Sequence, residues 1–174
     1  MRFDVMPVAT RKQIIEVEQA AHHVWHNYYK DIFPTEQIDY MLEKYQSADA
    51  LQDQIREGYV YYMLMADGDL AGYMCIRAKN DHIILSRLYI KAEYRRQGLA
   101  KKAIAHVESM LRSPALERHD IKKIRLHVER DNHFAINVYE HLGFRKVKSV
   151  DTDIGNGYVC REYVMDRKVS QQDK

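Results

Sequence analysis

The stretch Leu88-Tyr89-Ile90-Lys91-Ala92-Glu93-Tyr94-Arg95-Arg96-Gln97-Gly98-Leu99-Ala100 has the makings of a diphosphate site. An apolar run ends in a short basic loop, and the loop opens a helix with Gly-x-Ala. The first turn of a helix presents N–H groups that lack intrahelical partners and carries a partial positive charge. Gly98 and Ala100 are small, so a ligand can approach the backbone there. Arg95 and Arg96 add charged donors suited to phosphate oxygens. The pattern is neither a G-x-x-x-x-G-K-[ST] P-loop nor a G-x-G-x-x-G dinucleotide turn. Taken alone, it reads equally well as a basic loop with an ordinary glycine ahead of a helix.

A second segment, Asn132-His133-Phe134-Ala135-Ile136-Asn137-Val138-Tyr139-Glu140-His141-Leu142-Gly143-Phe144, changes that balance. Arg95 to Ala100 fits the acetyl-CoA signature of the GNAT N-acetyltransferase superfamily: Gln or Arg, two free positions, Gly, one free position, Gly or Ala. Asn132 to Phe144 resembles the family's second signature, Asn, then Ala, then a Tyr followed by Leu-Gly-Phe. The two occur in the family's order with a strand between them. The resemblance covers Tyr59 to Met165 and is less specific over the N-terminal helices. Tyr28 to Pro34, Gln37 to Leu42 and Asp153 to Tyr158 resemble a bacterial branch that includes spermidine and spermine acetyltransferases.

The resemblance implies acetyl-CoA as co-substrate, no metal, and direct attack by a primary amine in a ternary complex. It implies that the strand Leu88, Tyr89, Ile90 splays from its neighbour and holds the pantetheine arm. Arg95, Arg96, Gln97, Gly98, Leu99 and Ala100 would cradle the diphosphate, with Asn132 and Asn137 near the pantetheine or phosphate portion. Tyr139 occupies the general-acid position. A phenol with a pKa near ~10 can donate to a thiolate whose conjugate acid is near ~8.5, given close geometry. By helical spacing alone, Tyr139 is a core aromatic one turn from Ala135, one of 13 tyrosines, and Asn132 is a helix cap. Asn137 is unfavourable in a helix interior, which fits a polar task. The general base stays open between Ser86, His127, Glu129 and a water chain. A polyamine is the leading acceptor, with Asp31, Glu36, Asp39, Asp151 and Asp153 as possible carboxylates for it. A protein or peptide amine is the alternative, and a non-catalytic CoA-binding sensor module is a third reading.

These residues need elements to position them. Phe3 to Val8 alternates as a strand. Ile14, Val17, Ala20, Ala21, Val24, Trp25 and Tyr28 recur at helical spacing, behind Thr10 as N-cap. Pro34-Thr35 restarts the chain into a helix through Tyr45, and Leu51 to Ile55 suggests a short third one. Tyr59 to Ala66 and Leu70 to Ala78 are strands joined at Asp67-Gly68. Ile83 to Ile90 is a further strand. A helix from Gly98 to Leu111 stops near Ser113-Pro114. A strand Ile121 to Val128, a helix Phe134 to Leu142 ended by Gly143, and strands Phe144 to Val150 and Tyr158 to Met165 complete the order. The expectation is an α/β chain whose mixed, mostly antiparallel sheet of about seven strands carries helices on both faces, the acyl-CoA N-acyltransferase fold. Residues 1–168 read as one domain and 169–174 as a flexible tail.

Bulk properties bound the rest. A length of 174 residues suits one core. A net charge of +2 gives no argument for nucleic acid. No apolar run approaches a membrane span, and Met1 to Thr10 lacks a signal-peptide pattern, so the cytoplasm is the expected location. Cys75 and Cys160 read as buried, unpaired thiols. His22, His23 and His26 make H-H-x-x-H without the companions of a metal site. Arg118 to Arg130 reads as a half-exposed strand, and Trp25, Tyr28, Tyr29 and Phe33 as helix core before acceptor pocket. Exposed strand edges near the C-terminus suit a homodimer.

Overall fold

A computed structural model describes residues 1–113 and 120–169. The helix stop assigned to Pro114, the start of the basic run at Arg118 and the tail 170–174 lie outside the described residues. The element order is β1 (Phe3–Pro7), α1 (Arg11–Tyr29), α2 (Thr35–Gln46), α3 (Ala48–Arg56), β2 (Val60–Ala66), β3 (Asp69–Ala78), β4 (His82–Ile90), α4 (Leu99–Met110), β5 (Lys123–Glu129), α5 (His133–His141), β6 (Arg145–Gly155) and β7 (Tyr158–Lys168). A single 3-10 turn, Ala92–Tyr94, lies between β4 and α4. No helix among the described residues is long and apolar enough to cross a membrane.

Local chemistry accounts for the helix starts. The Thr10 hydroxyl accepts from the Gln13 amide and the Gln13 side chain accepts from the Thr10 amide, a reciprocal capping box at α1. Ser47 caps α3 through the Ala50 amide. Ile14, Val17, Ala20, Ala21, Val24 and Trp25 form the buried stripe of α1, the spacing that its sequence shows.

The strands are ordered β1-β2-β3-β4-β5-β7-β6 in one mixed sheet. β1–β2, β2–β3, β5–β7 and β6–β7 pair antiparallel. β4–β5 pair parallel, from His82↔Lys123 to Ile84↔Arg125. β6 and β7 run further than their apolar pattern indicates, to Gly155 and Lys168. From Arg145 to Asp153 nearly every residue of β6 is exposed, so the strand has no alternation to read.

The described residues gather into two compact units, 1–77 with 87–107, and 78–86 with those from 108 onward. In the first, a polar chain is threaded through the apolar core. Trp25 Nε1 donates to the Tyr73 hydroxyl (2.9 Å), which donates to Gln46 Oε1 (2.6 Å), and Gln46 Nε2 donates to the Tyr61 hydroxyl (3.1 Å). Gln46 and these aromatics are buried, and each polar atom is matched, which such burial requires. Both cysteines are buried and neither is in a disulfide. In the second unit Asp166 takes Arg125 in two bonds, at 2.7 and 2.9 Å, so the basic residues of β5 belong to a half-exposed strand.

Gly72 marks the tightest approach in the first unit. β3 carries one extra residue there, since Leu64 faces Gly72 and Met65 faces Leu70, and the bulged Ala71 carbonyl accepts from the Lys91 amide at 2.8 Å. A Cβ on Gly72 would fall on the Tyr89 carbonyl oxygen and lie 3.1 Å from the Ile90 Cα. Both obstacles are backbone, so neither can swing aside. Gly72→Ala is therefore expected to destabilise the protein by about 2 kcal/mol or more, despite the entropic gain of replacing glycine. Urea unfolding with an unchanged midpoint would refute this close approach.

Candidate active site

In the first unit, β4 delivers Leu88 and Tyr89 buried and Ile90 half-buried. The Tyr89 hydroxyl is 2.8 Å from that of Tyr29, and its ring lies among Trp25, Tyr28 and Tyr29. Those α1 aromatics, with Phe33 against Tyr29, are thus core partners of β4. After Ile90 the chain makes its 3-10 turn, with the Tyr94 amide on the Lys91 carbonyl at 2.9 Å. Arg95 Nε donates to the Ile90 carbonyl (3.0 Å), and its guanidinium lies 5.7 Å from the Tyr28 ring centre. Arg95 therefore braces the loop with one nitrogen and one face.

The next residues bend sharply. Arg96 has φ 60° and Gly98 φ 76°, both left-handed, and left-handed residues in a turn are one way that proteins bring successive N–H groups to one side. The first α4 bond runs from the Lys102 amide to the Gly98 carbonyl at 3.1 Å, so the amides of Leu99, Ala100 and Lys101 precede any intrahelical partner. A Cβ on Gly98 would meet nothing within 4 Å. Leu99 is buried beside Ala66 and Ala71, with Phe3, Ile90 and Tyr94 packed around them, which fixes the helix end to the sheet. Arg96, Gln97 and Gly98 are exposed, with Gln97 Nε2 3.4 Å from the Glu93 carbonyl. Ala100 is half-buried.

In the second unit, Asn132 is buried and its side-chain oxygen accepts from the Ala135 amide at 3.1 Å. This is the capping role that its position indicates. Asn137 is exposed on α5, and its carbonyl lies 2.7 Å from His141 Nδ1. α5 closes with paired bonds, the Gly143 amide to the Glu140 carbonyl (3.1 Å) and the Phe144 amide to the Tyr139 carbonyl (3.0 Å), with Gly143 at φ 93°. That is a Schellman closure. The buried Phe144 ring meets Tyr139 edge-on at 5.7 Å, so Leu142-Gly143-Phe144 pins Tyr139 by backbone and ring together. Tyr139 is half-buried.

The model of the Acetyltransferase (GNAT) family matches residues 19–144. The chain belongs to this family. This GNAT protein is 26% identical over 166 residues to a spermidine N(1)-acetyltransferase of Thermoplasma acidophilum, covering 90% of this chain and 98% of that one. It is 28% identical over 90 residues to the Escherichia coli [ribosomal protein bS18]-alanine N-acetyltransferase, covering 52% and 57%. Its fold resembles that of the PaiA N-acetyltransferase of Thermoplasma acidophilum in complex with coenzyme A, at TM-score 0.76 and 22% identity over 97% and 99% of the chains. The spermidine N-acetyltransferase of Vibrio cholerae, solved with CoA and spermine, gives 0.66 and 17% over 96% and 95%. The seven-stranded sheet is thus the GNAT fold, and the activity class is N-acetyl transfer.

Among the base candidates, Ser86 is half-buried, and His127 is exposed with Nδ1 3.7 Å from Glu162 Oε1. Glu129 differs. It is 9% exposed, and its Oε1 has no hydrogen-bond partner. Burial pushes its carboxyl up to about 7, and Glu162 across the β5–β7 ladder adds to the shift. Its own residue type was visible in sequence; Glu162, 33 positions away, carried no signal, and neither did Gly72. Of the carboxylates offered for an acceptor, Asp39 pairs with His26 at 2.7 Å, Asp151 pairs with Arg130 at 2.6 Å, and Asp153 accepts from the Gly155 amide at 2.8 Å. Asp31 and Glu36 are exposed on the surface.

The folded protein holds a proton on Glu129 that the unfolded chain releases nearer the ordinary 4.5. Stability therefore falls as pH rises from about 4.5 to about 7, and the loss is complete above that range. Glu129→Gln removes this dependence. Relative to wild type, the variant should gain roughly 2 kcal/mol between pH 5 and pH 8, with solvent screening allowed for. Parallel stability curves across that range would show that Glu129 titrates normally.

Proposed function

We propose that this protein transfers the acetyl group of acetyl-CoA to a primary amine of a small polyamine, by direct attack in a ternary complex. The observation that carries the donor half is the left-handed Arg96–Gly98 turn with open space over Gly98, ahead of the unpaired first-turn amides of α4. Such an end suits a diphosphate, because the donors are fixed and the helix dipole favours anionic charge. In this reading Arg96, Gln97, Gly98, Leu99 and Ala100 hold the diphosphate and Arg95 braces their loop. The β4 residues Leu88, Tyr89 and Ile90 offer backbone to the pantetheine arm, and Asn132 and Asn137 supply polar groups to the cofactor. The acceptor half is supported by similarity. The spermidine-acetylating relative matches 90% of the chain, and the alanine-acetylating relative only 52%.

The chemistry follows from the reactants. The neutral amine attacks the thioester carbonyl, the C–N bond forms and the C–S bond breaks. The ammonium proton leaves to a base or to water, and Tyr139 gives its phenolic proton to the departing thiolate. The Schellman closure is a reason for Tyr139 to hold one position, since it restrains the carbonyl and packs the ring.

Millimolar acetyl-CoA should raise the melting temperature through binding to the native state. Gly98→Glu should abolish that rise by placing bulk and negative charge at the anion site. At φ 76° the substitution also strains the backbone, by about 1 kcal/mol, so Gly98→Ala is the control. The alanine variant should melt slightly lower and keep a ligand-induced rise. A glutamate variant that is still stabilised normally would remove the loop from cofactor binding.

Tyr139→Phe keeps the ring and removes only the hydroxyl. Melting temperature and acetyl-CoA affinity should hold, while kcat falls about 10²–10⁴-fold with little change in the acceptor KM. A lower melting temperature with normal turnover of the folded enzyme would mark Tyr139 as structural and leave water as the proton donor.

A further inference from the structure

On one face of the second unit's sheet, a carboxylate meets two cations at one end and two glutamates face each other at the other. Asp166 receives both Arg125 bonds and has Lys123 Nζ at 3.7 Å. At the far end of β5, Glu129 stands directly opposite Glu162 in the antiparallel register. Directly opposed residues share a face, and like charges there repel. The other β5 and β7 groups on this face are His127, whose Nδ1 is 3.7 Å from Glu162 Oε1, Val164 opposite it, Lys168 opposite Lys123, and the Cys160 thiol, which donates a hydrogen bond to the Glu129 carboxyl. β6 sets Val150 against Glu162 and Thr152 against Cys160, with Lys148 against Val164 and Arg145 against Asp166 further along.

Glu129 is nine-tenths buried, and its Oε1 accepts no hydrogen bond. A buried carboxylate oxygen without a donor is unfavourable unless a cation or donor reaches it. Of the cations on this face, Arg125 and Lys123 meet Asp166, Arg145 donates to the Glu140 and Phe144 carbonyls, and neither Lys148 nor Lys168 forms an ion pair with Glu129 or Glu162. Arg130 is held by Asp151 at 2.6 Å. The described residues contain no group of three or more His, Cys, Asp or Glu able to hold a metal. What fits two facing carboxylates is a compact cation with several N–H donors.

We infer that Glu129 and Glu162 form an ammonium subsite that holds a non-reacting nitrogen of a di- or polyamine. This rests on the proposed amine acetylation and names the pair that selects for a second charge.

The test measures binding without turnover. Wild type and Glu162→Gln, each saturated with CoA, are titrated calorimetrically with spermidine and with butylamine. Spermidine affinity should fall about tenfold or more in the variant, while the affinity for butylamine, which has one charge, stays within about twofold. Glu129→Gln is read the same way and serves if Glu162→Gln proves poorly folded by its melting curve. Unchanged spermidine affinity, an equal loss for butylamine, or no spermidine binding to wild type would each overturn the subsite. Thiol release from acetyl-CoA separates the two ideas. Release with spermidine that is indifferent to Glu162→Gln removes the subsite alone. Spermidine binding that depends on Glu162 without thiol release retains the subsite and removes polyamine acetylation.

Discussion

The first unit depends on one steric constraint, the contact of β3 with β4 at Gly72. No side chain fits between that residue and the Tyr89 carbonyl, so the two strands meet backbone to backbone where β4 ends. The bulge at Ala71 turns the adjacent carbonyl to the Lys91 amide, and this sets where the chain leaves the sheet. Everything downstream inherits that point: the 3-10 turn, the brace from Arg95 to the Ile90 carbonyl, the two left-handed residues and the start of α4. The position of the α4 N-terminus is thus a consequence of strand packing as much as of its own glycine.

The signature residues divide into those that hold geometry and those that stay exposed or half-buried. Arg95 spends Nε on the Ile90 carbonyl, Leu99 anchors α4 in the core, Asn132 caps α5, and Gly143 and Phe144 close it. Arg96, Gln97 and Gly98 remain exposed, and Tyr139 is half-buried over the closure. Part of the motif is thus a folding device, whatever the exposed residues bind.

The second unit shows how one sheet face carries opposite electrostatic outcomes. Arg125 and Lys123 neutralise Asp166 and hold its carboxyl below the usual range, chiefly through the Arg125 bonds. Glu129, four residues along β5, is pushed the other way by burial and by Glu162. Alternation along a strand brings both groups to one face, and the register of β7 decides which partner each meets.

The sequence by itself determined the element order, the Thr10, Asn132 and Gly143 caps, and the GNAT resemblance of Arg95 to Ala100 and Asn132 to Phe144. These are local features, in which a cap, a turn glycine or a helical stripe is written in residues a few positions apart. The full length of β6 escaped because an exposed edge strand has no apolar alternation. Only the tertiary structure decided that Gly72 must lack a side chain, that Trp25 and Tyr28 belong with Tyr89, and that Glu129 faces Glu162. Each of those pairs is joined by packing or strand register between residues 17 to 64 positions apart. Periodicity along the chain shows which face a side chain takes and leaves open which distant residue stands across from it.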